Sequence, residues 1–249
     1  MDFIRKLQMQ RSNYKYASQA RTQAESIKQL SAGIYTEEER FIYELLQNAV
    51  DAFIDTNNYI LKIKIEIIGD ILCFMHNGTA FSEEDIDGLC DIGNSHKASD
   101  SDISNKKKVG YKGIGFKSVF MQSVEYVCVS SNGYCFKFDK TDCAELMTTY
   151  EAGVLNADEI PWQIIPISCK APSEFDISKY NVATFVKAGT IPTLINKITK
   201  LLQDPQFLLF LNVTDIKIEF FHNKRLMLSA SRIKVRNEVH LLCDTKVGS

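Results

Sequence analysis

The segment Phe41-Ile42-Tyr43-Glu44-Leu45-Leu46-Gln47-Asn48-Ala49-Val50-Asp51-Ala52-Phe53 places Glu44, Asn48 and Asp51 at i, i+4 and i+7, one stripe of an α-helix. The intervening Phe41, Leu45, Leu46, Ala49, Val50 and Phe53 make the rest of the helix apolar, so it must be buried against a sheet. A carboxylate, an amide and a second carboxylate carried into such an interface are costly unless they are paired or bind a ligand. Thr36 and Glu39 form a capping box ahead of this helix, with Glu37 and Glu38 favourable in its first turn.

A glycine-rich run, Gly110-Tyr111-Lys112-Gly113-Ile114-Gly115-Phe116-Lys117-Ser118, follows about sixty residues later. Glycines so spaced let backbone N–H groups approach phosphate oxygens. No lysine-hydroxyl pair follows the last glycine directly, and no strand with a ribose-binding acid accompanies the run, so neither a Walker A loop nor a dinucleotide fingerprint is present. Between helix and run lie the apolar strand Cys73-Phe74-Met75-His76, broken at Asn77-Gly78, and a loop Ile92-Gly93-Asn94-Ser95-His96-Lys97.

In this order the pieces resemble the GHKL superfamily of ATP-binding domains, and within it the heat-shock-chaperone-like modules of sacsin and NO VEIN-type plant proteins. The resemblance rests on Phe41-Ile42-Tyr43-Glu44-Leu45-Leu46-Gln47-Asn48-Ala49, His76-Asn77-Gly78 and Gly113-Ile114-Gly115-Phe116-Lys117-Ser118-Val119-Phe120, and runs from about Tyr14 to Ile218. Asn181-Val182-Ala183-Thr184-Phe185-Val186 looks like the family's threonine-bearing strand, and Pro205–Leu211 like the turn before its last strand.

The resemblance implies a two-layer α+β sandwich, the Bergerat fold, with a mostly antiparallel mixed sheet covered by helices on one face. Periodicity agrees. Leu61, Ile63, Ile65 and Ile67 alternate, and Ile71–Met75 pairs back across Gly69-Asp70; a second hairpin, 124–130 with 134–138, turns at Asn132-Gly133. Residues 141–180 read as irregular, 193–202 as a helix and 213–221 as an edge or final strand. The expected division is a helical N-terminal arm at 1–35, lying outside the core, an ATP-binding domain at 36–230 with a lid at 93–109, and a tail or the start of a further region at 231–249.

Composition fits a single module: 249 residues, 45% hydrophobic, are enough for a sizeable core. The polar start Met1–Lys6 shows no signal peptide, and no apolar stretch is long enough to span a membrane. Seven cysteines without a C-x-x-C pair argue against a disulfide framework or a zinc site, and so for a reducing, cytoplasmic setting. A net charge of -2 gives no pull toward nucleic acid or anionic membranes. Lys106, Lys107 and Lys108 read as a solvated loop.

By resemblance, Glu44 is the general base for the water attacking the γ-phosphate, and Asn48 supplies its amide oxygen to Mg²⁺ bound with the nucleotide. Asp51 lies toward the sugar and base or braces the pocket floor, and Ala52, His76, Gly78, Phe81 and Thr184 belong to the same nucleotide site. Gly93, Ser95 and Lys97 belong to the lid. Gly110, Lys112, Gly113, Ile114, Gly115, Phe116 and Lys117 surround the phosphates, the two lysines standing where an anion needs neutralising. One departure concerns the base: most family members carry an aspartate that accepts from the adenine amino group where this chain has His76, whose neutral imidazole can accept the same bond if its proton sits on the other nitrogen, and the second glycine of that turn is Ala80. The implied activity is Mg²⁺-dependent ATP hydrolysis that couples lid closure to dimerisation or to movement of an attached or partner region, the N-terminal arm being a candidate for the segment that exchanges on dimerisation; the alternative is a nucleotide-gated interaction module with little or no hydrolysis. Relatives complete their site with a Lys or Arg from a following domain. The expectation is therefore a fragment of a longer chain, or a partner that supplies the cation, and slow turnover in isolation.

Overall fold

The computed structural model describes residues 2–32, 40–53, 60–91, 115–120, 124–148, 155–189 and 191–245. In chain order these form helices α1 (Phe3–Ser12), α2 (Ala17–Ala32) and α3 (Arg40–Phe53), strands β1 (Leu61–Ile68) and β2 (Ile71–His76), helix α4 (Glu83–Leu89), strands β3 (Val124–Ser131) and β4 (Tyr134–Asp139), and helix α5 (Lys140–Thr148). Then come β5 (Ile167–Ser168), β6 (Val182–Ala188), helix α6 (Ile191–Gln203), β7 (Ile216–His222), β8 (Arg225–Val235) and β9 (Glu238–Thr245). The capping box Thr36–Glu39 lies outside the described residues.

The strands form one sheet in the order β5-β4-β3-β6-β2-β1-β7-β8-β9, and β1 with β7 is its parallel pair. Alternation along β1 sends Ile63, Ile65 and Ile67 into the same cluster as Phe41, Leu45, Leu46, Ala49 and Val50 of α3. All six helices of the described residues contribute to that cluster, so they cover one face, as the sequence implied. The other face carries a smaller core of Cys73, Met75, Cys128, Ala183 and Phe185, over which Phe175 and the 169–180 segment fold. In the β3–β4 turn Asn132 and Gly133 both adopt the left-handed conformation, at φ 52° and 78°, which matches the twist of a two-residue hairpin.

Three readings are corrected. The N-terminal helices are not held outside the core: Ile4 and Leu7 of α1 and Ala20 and Ile27 of α2 are buried in the main cluster. The stretch read as irregular contains α5, with Cys143 and Met147 buried in that cluster, followed by short 3-10 turns at Ala157–Glu159 and Trp162–Ile164. Finally, β7 is neither last nor at an edge. Residues 225–245 extend the sheet by two strands, and the buried Arg232 donates to the carbonyls of Thr214, Leu208 and Leu211, tying β8 to the turn Pro205–Phe210. These hairpins turn at Asn223-Lys224 and at Arg236, with φ of 47°, 66° and 56°. Such angles cost non-glycine residues about 1 kcal/mol each, and without glycine the turns leave little trace in sequence.

Candidate functional site

On the helix-facing side of the sheet, β2 and β6 set Leu72 opposite Val186, Phe74 opposite Thr184 and His76 opposite Val182. Above them α3 presents Leu45, Asn48, Asp51 and Ala52, and between the two layers a cleft opens, with an empty volume of about 890 Å³ including its mouth. Thr79 and Phe81, Asp85 and Leu89 of α4, and Phe116 complete the described lining. Thus two polar groups one turn apart on α3 face an otherwise largely apolar enclosure with a strand threonine on its floor. Gln47 donates to Asp51 Oδ1 at 3.0 Å, fixing that carboxylate along the helix.

The turn after β2 is positioned from three directions. Thr79 N–H donates to Ala52 O at 2.8 Å, Asn181 Nδ2 to Gly78 O at 2.9 Å, and Phe81 N–H to Ser131 Oγ at 2.9 Å. Gly78 passes so close to α3 that a Cβ there would stand 2.9 Å from His76 Nδ1 and 3.0 Å from Ala52 Cβ. Glycine and alanine at these two positions are therefore a matched pair, which lets the turn seal the end of the cleft.

His76 is 4% exposed, and its Nδ1 accepts the Gly78 N–H at 3.2 Å. That bond places the remaining ring proton on Nε2, so the ring's free nitrogen is a donor, and His76 is part of the cleft lining. The expectation that His76 replaces the family's aspartate as an acceptor is corrected accordingly. Burial pushes the imidazole down to about 4 from 6.5, so it is neutral at pH 7. Because the folded pKa lies below the unfolded one, the unfolded chain takes up a proton first as pH falls through 6.5 toward 4. Stability is therefore lost in that window, by about 2 kcal/mol at pH 5. Urea midpoints at pH 7 and pH 5 should show this drop in the wild type and a smaller one in His76→Gln.

Lys117 is a second correction. It lies in the 3-10 turn Gly115–Val119, is 5% exposed, and donates to the carbonyls of Leu89 and of Gln163, the latter at 3.0 Å. The rings of Phe120 and Phe138 lie 5.5 Å from its Nζ. Its ammonium is held by α4's last carbonyl and an aromatic enclosure, and does not line the cleft. Phe116 of the same turn does line it.

Of the other expected residues, Asn48, Asp51, Ala52, His76, Phe81 and Thr184 come together around the cleft, and Gly78 closes it. Glu44 is half-buried on α3, one turn before Asn48, and is not part of the described lining. Gly93, Ser95, Lys97, Gly110, Lys112, Gly113 and Ile114 lie outside the described residues, as does the lid at 93–109. Sequence reasoning missed Leu45, Phe74, Thr79, Asp85, Leu89 and Val182. For Asp85 a signal existed: Ser82-x-x-Asp85 is the capping box that starts α4.

Fold and site together define an α+β sandwich with a cleft between a mostly buried helix and its sheet. Part of the chain is similar to the protein NO VEIN of Arabidopsis thaliana, with 37% identity over 116 residues, which is 44% of this chain and 4% of that protein's length. No protein-family model matches the chain. No helix among the described residues is long and apolar enough to cross a membrane.

Proposed function

We propose that this chain is a GHKL-type ATP-binding domain that hydrolyses ATP with Mg²⁺ and passes lid closure on to a second copy or a partner region. The observation that carries the reading is the set of Asn48, Asp51, His76 and Thr184 converging on one largely apolar cleft. Apolar walls with a few aimed polar groups suit a flat heteroaromatic base. Asp51 accepts from an exocyclic amine, and Nε2–H of His76 donates to a ring nitrogen.

The described lining holds Asp51, Asp85 and a neutral His76, and no lysine or arginine. A triphosphate therefore lies outside this part of the cleft, toward the start of α3, where Glu44 and Asn48 follow one another by a turn. Asn48 offers the amide oxygen that fits a hard cation such as Mg²⁺, which would neutralise phosphate charge when bound with the nucleotide. Glu44 orients the attacking water and takes its proton. Cations for the phosphates are expected from Lys97 and Lys112, or from a partner's Lys or Arg.

The test is calorimetric titration of a non-hydrolysable ATP analogue with Mg²⁺ into the wild type and Asn48→Ala. Loss of one bond to a charged group predicts about tenfold to hundredfold weaker binding in the variant. No binding by the wild type would overturn the reading. One observation favours the alternative, a nucleotide-gated interaction module with little hydrolysis: Glu44 is absent from the described lining. Analogue binding without phosphate release from ATP would favour that alternative or a missing partner that supplies the cation.

A further inference from the structure

Three thiols, two from the β3–β4 hairpin and one from just after β5, meet on the sheet face opposite the cleft. Cys128 and Cys135 sit diagonally across the β3–β4 ladder, since Cys128 pairs with Lys137 and Ser130 with Cys135. Cys169, just past the end of β5, donates its backbone N–H to Cys135 O at 3.0 Å, which extends the β4–β5 register to bring the two side by side. The sulfur separations are 3.8 Å for Cys128–Cys135, 3.5 Å for Cys128–Cys169 and 3.7 Å for Cys135–Cys169. All seven cysteines are free, and this trio is the cluster of metal-ligating side chains that the described residues bring within reach of one ion.

We propose that Cys128, Cys135 and Cys169 form a zinc site. Metal–sulfur bonds of about 2.3 Å in tetrahedral geometry set sulfur–sulfur edges of about 3.8 Å, the spacing this triangle nearly has. Bonded disulfide sulfurs would stand about 2.0 Å apart. Soft thiolates select zinc over the hard cations used with nucleotides. Three protein sulfurs leave the fourth position to a water or an outside ligand, and the partial exposure of Cys135 and Cys169 gives the ion a way in. Three thiolates on a divalent ion carry one excess negative charge. Lys137, across the ladder from Cys128, places an ammonium on the same face, itself held by Asp139 at 2.9 Å and Asp142 at 2.8 Å.

The ion would do what the ladder at this edge does weakly. β5 pairs through only two residues, yet the chain after it carries Phe175, Ile177 and Tyr180 over the second core. A metal held by Cys169 as well as by β3 and β4 fastens this cover at its start. Beneath it lie Cys73, Met75, Ala183 and Phe185 of β2 and β6, whose opposite faces carry Phe74, His76 and Thr184 of the cleft. Loading therefore stiffens the floor of the cleft from behind, independently of what the cleft binds.

The experiment is Co²⁺ titration of the reduced, metal-free 249-residue chain, followed by Zn²⁺ competition. One equivalent of Co²⁺ should give thiolate-to-cobalt charge-transfer absorption with the intense ligand-field bands of tetrahedral cobalt, and Zn²⁺ should abolish both. Cys128→Ser, Cys135→Ser and Cys169→Ser should each weaken Co²⁺ binding by about 100-fold or more, above the cost of losing an outer-shell partner. Cys73→Ser and Cys243→Ser should retain the spectrum, and Zn²⁺ should raise the wild-type melting temperature. Absence of the charge-transfer band in the folded wild type, or its persistence in the three variants, would overturn the site. So would ready loss of two thiol hydrogens in air with no cobalt spectrum, which would make the cluster a redox pair.

Discussion

In Glu44→Gln, ATP binding is expected to match the wild type while phosphate release falls about 10²- to 10⁴-fold, the usual contribution of a positioned general base. The substitution keeps the size and hydrogen-bonding capacity of the side chain on α3 and removes its basicity, so the helix face and the adjacent Asn48 are undisturbed. Binding and turnover must separate for the base assignment to stand. Equal turnover in wild type and variant would remove Glu44 from the chemistry. A parallel loss of analogue affinity would make it a structural residue of the helix, in keeping with its half-buried place outside the described lining. Calorimetry and phosphate release on the same samples distinguish these results.

Lys117→Met should make a pH-dependent difference of about 3 kcal/mol to folding stability. Burial pushes the ammonium down to about 8 from 10.5. Below pH 8 both folded and unfolded chains carry the charge, and the native state bears the full cost of burying it. Between pH 8 and 10.5 the unfolded chain holds a proton that the native chain has released, so wild-type stability from this group rises with pH. Methionine does not titrate. The wild-type advantage over Lys117→Met, read from urea unfolding at pH 7.5 and 10.5, should therefore grow by about 3 kcal/mol, and the subtraction cancels other titrating groups. A constant difference would show that the Leu89 and Gln163 carbonyls and the Phe120 and Phe138 rings solvate the ammonium as well as water does.

The contrast between Asn48 and Lys117 shows why part of the site was legible. Asn48 and Asp51 lie on a helix whose apolar positions repeat at 3.6 residues. Its buried face, and hence which polar side chains must enter the core boundary, follows from local order alone. The same holds for β1 and β2, where alternation and a Gly-containing turn dictate pairing and register. Lys117 belongs to a glycine-rich run whose composition suits an anion site equally well, and only the packing of the 3-10 turn against α4 sends the ammonium to carbonyl oxygens. His76 is intermediate. Its presence at the strand end was evident, but its tautomer is set by the Gly78 N–H, a contact that depends on how the turn folds back.

The sheet-facing helix with its polar stripe, the two hairpins around glycine turns and the sandwich class could all be read from local order, because periodicity and turn chemistry act over a few residues. Only long-range packing brings α1 and α2 into the core, extends the sheet by β8 and β9, and sets Cys169 beside Cys128 and Cys135. Each of those outcomes depends on which strand or helix lies beside which, and pairing across tens of residues is chosen by the sum of buried surface and ladder bonds over the whole sheet, a quantity no local window contains.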